Sequence, residues 1–362
     1  MHLRNICYRL WHQLTEEVQA FYRLEKGKEA FPLIFSQFIS IWHRKMNQLV
    51  YVKLAMETAK QLSPTNALNL LEDITMEMKE LKEVEGPALV ILSTMAAAQY
   101  KLRSGDLVGA KAAIDECSET AEGYASVDAI IPATYFLVAA DYDKATMAFS
   151  SFYKNALIYL ACQSKDEVAM KSSEMQERAH DLCVAALLGD NIYNFGELLI
   201  HPILELLKGT SYEFLTVLLH EFNRGHVETL DTHTSAISKH PTLSGRLEFL
   251  RQKLFLMTLV EAIFHHLKTN RLIPFSVISQ ATRVPLDQVE FLLIKSLSLK
   301  LVKGTIKEPE QVFEIEWVQP RVLDLGQIEE LRLGISKWRA KVQETSKLIH
   351  TILPETITSL AQ

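Results

Sequence analysis

Hydrophobic residues in the first half of the chain recur at steps of three and four, the spacing of amphipathic helices, and a helix breaker ends each run. New helices are predicted to begin at Pro64, at Gly86 and shortly after Gly105. Because the breaks recur and the connecting segments are short, the chain from Leu3 to about Cys183 is predicted to form a right-handed α-solenoid of helical pairs. A compact helical bundle is the alternative interpretation of this pattern.

A different order of elements is predicted in the following part of the chain. Helices continue to residue 246, and the segment NFGELLIHPILELL should kink or restart at Pro202, because proline cannot donate the hydrogen bond that a helix interior requires. A strongly apolar helix follows at residues 246–267. After it come a short helix at 274–282, another helix at 286–299 and a hairpin at 301–318. This order is the plan of a winged helix.

The predicted hairpin contains the sequence LVKGTIKEPEQVFEIEW, which Gly304 and Pro309 interrupt. The apolar residues of its second half alternate with glutamates, as in a strand with one buried face, and are Phe313, Ile315 and Trp317. The predicted organisation is a solenoid at residues 1–150, a second domain at 151–320 and a C-terminal helix at 321–362. Within the second domain, the helical part covers 151–246 and the winged helix 247–320.

The last segment of the chain has the period of a coiled coil. From residue 328 its apolar positions follow alternating steps of three and four, and charged residues fill most positions between them. These positions, here called the seam, are Ile328, Leu331, Ile335, Trp338, Val342, Thr345, Ile349 and Ile352. Each large seam side chain left exposed forfeits about 1.5–3 kcal/mol of burial. We therefore predict that this helix inserts into a bundle with helices of other chains, with packing on its own domain as the alternative.

Composition and charge are those of an ordinary soluble protein, with 48% hydrophobic and 23% charged residues and a formal net charge of −6. This charge offers no support for nucleic-acid binding, which depends on lysine and arginine. The four cysteines lie too far apart for a CxxC motif and are expected to be free thiols in a reducing compartment. The sequence has no signal-peptide pattern and no apolar run of about 18 residues, so we predict a cytoplasmic and nuclear protein without a membrane span.

Motifs of catalysis and of cofactor binding are missing from the sequence. There is no HExxH motif, and the histidines at 220, 226, 233 and 240 are interpreted as surface or helix-packing residues. The segment GDLVGAK after Ser104 lacks the spacing of a phosphate-binding loop, and no GxSxG motif is present. We therefore predict a protein that is not an enzyme and that needs no metal or cofactor.

The predicted wing also lacks the chemistry of a DNA-binding surface. Its helix and hairpin contain four lysines, but six acidic residues offset them, and no arginine is available for bidentate contact with guanine. We predict instead that the wing contacts protein, through a hairpin edge that adds to a neighbour's sheet. The edge is expected near Val312 to Trp317, with Val312, Glu314 and Glu316 as candidate contact residues.

Several longer segments carry a resemblance to a known family. They are LWHQLT (10–15), NALNLLE (66–72), FYKNALIYLAC (152–162), YNFGELLIHP (193–202), EFNRGHVE (221–228), LVKGTI (301–306) and WVQPRVLDL (317–325). In register over nearly the whole chain, they resemble the family of non-ATPase regulatory subunit 13 of the 26S proteasome, which belongs to the PCI-domain proteins. The chain differs from the family pattern in a shorter leader and in a final helix that matches less well residue by residue.

The resemblance implies a non-catalytic, structural subunit of the proteasome lid that supports ubiquitin-dependent protein degradation. In that family, the winged helices pack side by side and the C-terminal helices join a shared bundle. The implied partners are other PCI and non-PCI subunits of the lid, in a hetero-oligomer without nucleic acid or membrane. Two alternatives remain open at this point. One is a PCI scaffold subunit of the signalosome or of a translation initiation complex, and the other is a winged-helix protein that binds nucleic acid.

Overall fold

The computed structural model describes residues 11–22, 24–80, 86–123, 130–163, 172–267, 270–320 and 325–352. Its contacts divide the chain into two compact units, here called the repeat unit and the winged unit. The repeat unit comprises Met1–Ile192, Ile203–Leu215 and Ile237–Leu247. The winged unit comprises Tyr193–Pro202, Thr216–Ala236 and Glu248–Gln362.

The repeat unit is built from successive helices. They are α1 (Trp11–Tyr22), α2 (Glu25–Ile34), α3 (Ser40–Trp42), α4 (Gln48–Ala59), α5 (Pro64–Glu80), α6 (Gly86–Ser104), α7 (Leu107–Gly123), α8 (Ile130–Ala145), α9 (Phe149–Cys162) and α10 (Ser172–Leu188). A π-helical turn at Phe35–Ile39 lies between α2 and α3. Helix α5 packs on α6, α6 on α7 and α8, α8 on α9, and α9 on α10. Contacts between near neighbours in sequence are the packing of a solenoid, so this part of the prediction is confirmed.

The helices of the structure begin and end at the predicted breaks. Helix α5 begins at Pro64 and α6 at Gly86. Gly105 ends α6 with a φ of 88°, a conformation that glycine adopts without a steric penalty. The Asp106 carboxylate then accepts a hydrogen bond from the Gly109 amide at 2.9 Å and caps the start of α7. Local sequence chemistry therefore explains these boundaries.

The repeat unit extends further along the chain than residue 150. Helices α8 and α9 are joined by a short turn in which Met147 has a φ of 56°, and such a turn makes them antiparallel neighbours. The side chains of Phe152 and Tyr159 are buried, so α9 belongs to the same packed stack as α8. The predicted second domain began at residue 151, whereas in the structure α9 and α10 lie in the repeat unit.

The elements that follow α10 are shorter until α15. They are α11 (Gly196–Ile200), a 3-10 helix (Pro202–Leu207), α12 (Glu213–Arg224), α13 (Thr229–Lys239), α14 (Pro241–Ser244), α15 (Leu247–Leu267), β1 (Leu272–Pro274), α16 (Phe275–Thr282), α17 (Leu286–Ser298), β2 (Val302–Lys307), β3 (Val312–Val318) and α18 (Leu325–Ile352). Because α11 ends at Ile200 and a 3-10 helix begins at Pro202, the predicted restart at this proline is confirmed.

The winged helix of the winged unit has its own core and a small antiparallel sheet. The strands lie in the order β1-β3-β2, with Leu272 opposite Glu314 and Lys307 opposite Val312. A bulge interrupts the β2–β3 ladder between Lys303 and Gly304. Side chains from α15, α16, α17 and the sheet form the core, among them the fully buried Ile263, Ile273, Ile278, Leu293 and Phe313. The predicted winged-helix plan is confirmed, but β1 was not predicted from the sequence.

Two parts of the wing prediction require correction. Strand β3, which contains Val312 and Glu314, lies in the middle of the sheet, so its backbone there is paired on both sides and offers no edge. The strand at the edge beside it is β2. The second correction concerns Trp317, which is 38% exposed and does not complete the buried face formed by Phe313 and Ile315.

Candidate protein-interaction surfaces

The seam of α18 is a continuous stripe of exposed apolar side chains in the winged unit. Its large side chains from Ile328 to Ile349 are 45–68% exposed, and Trp338 is the most exposed of them. All α18 side chains whose burial is described are exposed, whereas the side chain of Ile352 lies outside the described residues. The described side chains of α18 therefore do not pack on its own domain, as the alternative prediction required. An unpaired apolar stripe of this length is typical of a helix that binds other helices.

The wing offers a backbone edge and little net charge. Lys307 Nζ lies 2.8 Å from a carboxylate oxygen of Glu314, and this hydrogen bond raises the pKa of Lys307. Lys303 Nζ lies 5.2 Å from the centre of the Trp317 ring, in a cation–π contact. Both hairpin lysines are thus engaged within the hairpin. An edge strand such as β2 is able to pair with a strand of another chain, whereas this surface has no surplus of cations for phosphate.

A buried lysine, whose position is not predicted from the sequence, contacts two aromatic residues of the segment YNFGELLIHP. Lys253 of α15 is only 1% exposed. Its Nζ lies 5.5 Å from the Tyr193 ring centre, 5.4 Å from that of Phe195 and 5.9 Å from that of Phe249. The segment 193–202 therefore supplies two walls of an aromatic cage around a cation. This contact is difficult to predict from the sequence, because a lysine in an amphipathic helix normally lies on the face that is exposed to solvent.

Replacing Lys253 by alanine is expected to lower the free energy of unfolding by about 3 kcal/mol, because it empties a buried site and removes the cation–π contacts. The Lys253→Met variant fills most of the same volume and should lose only about 1 kcal/mol. Urea denaturation of the two variants and the parent chain measures both values. An alanine variant as stable as the parent would contradict the buried cage.

Two histidines and two cysteines of the repeat unit are buried or partly buried. His180 Nε2 lies 2.9 Å from His240 Nε2, and burial, followed by the proximity of His180, lowers the pKa of His240. Burial also raises the pKa of the Cys183 thiol to about 12 and that of Cys117 to about 11, so these thiols stay protonated. Cys7 lies outside the described residues.

The described ranges contain neither a metal-binding cluster nor a membrane-spanning helix. No three His, Cys, Asp or Glu side chains in these ranges are placed to hold a metal ion. Among the helices of the same ranges, none combines the length and the apolar character needed to cross a membrane.

These features define the class of protein. Helical repeats that lead into a winged helix with a terminal helix are the plan of PCI-domain proteins, and the PCI domain model matches residues 230–317. The model for PSD13 N-terminal repeats matches residues 5–219. The chain therefore belongs to the family of 26S proteasome non-ATPase regulatory subunit 13.

Curated relatives agree with this assignment. The 26S proteasome non-ATPase regulatory subunit 13 of Dictyostelium discoideum is 33% identical over 351 residues, which cover 94% of this chain and 89% of the relative. Homolog B of the same subunit from Arabidopsis thaliana is 34% identical over 358 residues, covering 96% of this chain and 92% of the relative. By contrast, the eukaryotic translation initiation factor 3 subunit M of Neosartorya fischeri is 26% identical over 50% of this chain and 39% of its own length. The full-length similarity is thus to the proteasome subunit.

Proposed function

We propose that this chain acts as a non-catalytic, structural subunit of the regulatory-particle lid of the 26S proteasome. The observation that carries the proposal is the exposed seam of α18 in a chain of this family. Each large seam residue gains about 1.5–3 kcal/mol when a partner helix covers it, so the helix is a strong anchor for assembly. In this role the chain supports the degradation of ubiquitinated proteins by holding the lid together.

The proposed partners are other PCI and non-PCI subunits of the lid, in a hetero-oligomer. The seam of α18 joins a helical bundle, and the wing adds a second contact through the exposed backbone edge of β2 and through side chains such as Val312, Glu314 and Glu316. The balanced charge of the wing supports a protein partner rather than nucleic acid. Protonated, buried thiols at Cys117 and Cys183 are compatible with the proposed cytoplasmic and nuclear location.

Co-purification from eukaryotic cells tests this function. A tagged full chain and a tagged chain that ends at Leu325 are expressed, purified under mild conditions and compared by quantitative mass spectrometry. We expect lid and proteasome subunits with the full chain and a loss of at least about tenfold with the truncated chain. Recovery of a signalosome or of a translation initiation complex instead of the proteasome would overturn the proposal. Equal recovery with both chains would overturn the anchoring role of α18.

A further inference from the structure

The positions beside the seam have a charge pattern of their own. Taking Ile328 as position a of a heptad, the seam occupies positions a and d, and positions e and g flank it. The flanking residues are Gln327, Arg332, Gly334, Arg339, Lys341, Ser346 and Leu348. Three of them are cations and none is an acid. The acidic residues Glu329, Glu330 and Glu344 lie at positions b and c, farther from the seam.

Two of the flanking cations have no ion-pair partner among the described residues. Arg332 is held by Glu329, with its Nε and Nη2 atoms 2.7 Å and 2.6 Å from the two carboxylate oxygens. In the part of the chain that the structure describes, neither Arg339 nor Lys341 has an ion-pair partner, and both side chains are exposed. These two cations lie on either side of the seam between Trp338 and Val342. When a partner helix covers the seam, charges at e and g come close to the e and g positions of that helix.

We propose that the helix which covers the seam belongs to another chain and carries aspartate or glutamate beside its own apolar stripe, opposite Arg339 and Lys341. This inference rests on the proposed function, since it specifies the partner of the same helix. Opposite charges at e and g select the partner and speed its association, whereas like charges exclude others. The flanking cations thus add specificity to a seam whose apolar residues supply the affinity.

A second copy of this chain does not meet the same requirement. No carboxylate lies at an e or g position between residues 327 and 348, so a second α18 offers no acidic group in either direction of pairing. In an antiparallel pair, positions e face e and positions g face g, which brings arginine to arginine and lysine to lysine. The seam is therefore built for a hetero-oligomer.

Binding of synthetic helices to the full chain provides the first test. One labelled peptide has leucine and isoleucine at a and d with glutamate at e and g, and a matched peptide has lysine at e and g. By fluorescence anisotropy at about 50 mM NaCl, we expect the acidic peptide to bind at least about tenfold more tightly than the basic one. The difference should shrink at about 300 mM NaCl. Equal affinities, a preference for the basic peptide, or no binding of the acidic peptide would overturn the proposal.

Charge reversal links this preference to two residues. The variant Arg339→Glu with Lys341→Glu should lose the preference for the acidic peptide, by about tenfold or more. The matched variant, Lys337→Glu with Lys347→Glu, makes the same change of net charge at positions c and f, away from the seam. It should bind the acidic peptide within about twofold of the parent chain. Equal effects of the two variants would overturn the assignment to the seam flanks.

Two further measurements separate this inference from the proposed function. In co-purification from cells, the tagged Arg339→Glu and Lys341→Glu chain should bring down at least about tenfold less proteasome than the tagged Lys337→Glu and Lys347→Glu chain. If it recovers as much while the chain ending at Leu325 does not, the proposed function stands and the charge inference fails. The purified full chain should be monomeric by light scattering, and a dimer that substitution of Trp338 dissolves would overturn the exclusion of a second copy.

Discussion

A chain in which Ile335 and Trp338 are both replaced by aspartate is expected to be lost from the proteasome lid while its own fold stays intact. The two residues are 56% and 68% exposed in the isolated chain, so their replacement removes little packing from it. In a helical bundle they become buried, and the loss of their burial costs about 3–6 kcal/mol, roughly 100-fold or more in affinity. Two desolvated carboxylates in the same interface add to this cost.

The matched control is the variant Ser336→Asp with Gln343→Asp, which introduces the same charge at exposed b positions of α18. Quantitative co-purification of tagged chains from cells measures incorporation, and thermal unfolding of the purified chains measures the fold. We expect the control to be incorporated like the parent chain, and all three chains to unfold at the same temperature within about 2 °C. If both double variants were incorporated equally well, the contacts of the lid would lie elsewhere on the chain.

Replacing Gly304 by alanine is expected to lower the free energy of unfolding of the winged unit by about 3 kcal/mol, near the upper end for overpacking. A Cβ atom at this position would lie 2.1 Å from the backbone oxygen of Glu314 and 2.7 Å from Cζ of the Phe313 ring. The oxygen belongs to the central strand, and the ring is fully buried in the core, so neither is able to move aside without disturbing the sheet. The bulge at Lys303 and Gly304 depends on this close approach.

Gly245 provides the control for this substitution. It has a φ of −77°, and a Cβ atom there would meet no atom within 4 Å, so the Gly245→Ala variant should change stability by less than about 0.5 kcal/mol. Urea denaturation of the two variants, followed by circular dichroism and by tryptophan fluorescence, gives both values. Trp317 contacts Lys303 beside the bulge and is one of the four tryptophans of the chain, so the opening of the hairpin contributes to the change in fluorescence. A Gly304 variant as stable as the control would contradict the packing described for the wing.

The elements that the sequence predicted well are those set by local rules. The starts of α5 and α6 follow from Pro64 and Gly86, and the restart at Pro202 follows from its missing amide donor. The seam follows from spacing alone, since side chains three and four residues apart share one face of a helix. These features depend on residues close together in sequence and need no knowledge of distant contacts.

The sequence-based predictions fail for the edge of the sheet and for Trp317, because contacts between segments far apart in the chain decide the pairing and burial there. Strand β1 is only three residues long and ends in Pro274, so its sequence has no strand period to detect. Its pairing with β3 nevertheless places that strand in the centre of the sheet and leaves β2 as the edge strand of the hairpin. Trp317 follows the alternation of a buried strand face in the sequence, but in the structure Ile315 pairs with Gly304 and Trp317 with Lys303. Glu316 is therefore an extra residue that interrupts the alternation, and Trp317 remains partly exposed.

The sequence by itself determined the helical class, the helix breaks, the winged-helix order and the seam, because each rests on periodicity or on the backbone chemistry of proline and glycine. Only the tertiary structure decided which sheet edge is exposed, that α18 lies uncovered along its seam, and that Lys253 is enclosed by aromatic rings. Burial and pairing depend on segments far apart in the chain. A local pattern states which face of an element is apolar, but the folded chain decides whether that face is covered or left for a partner.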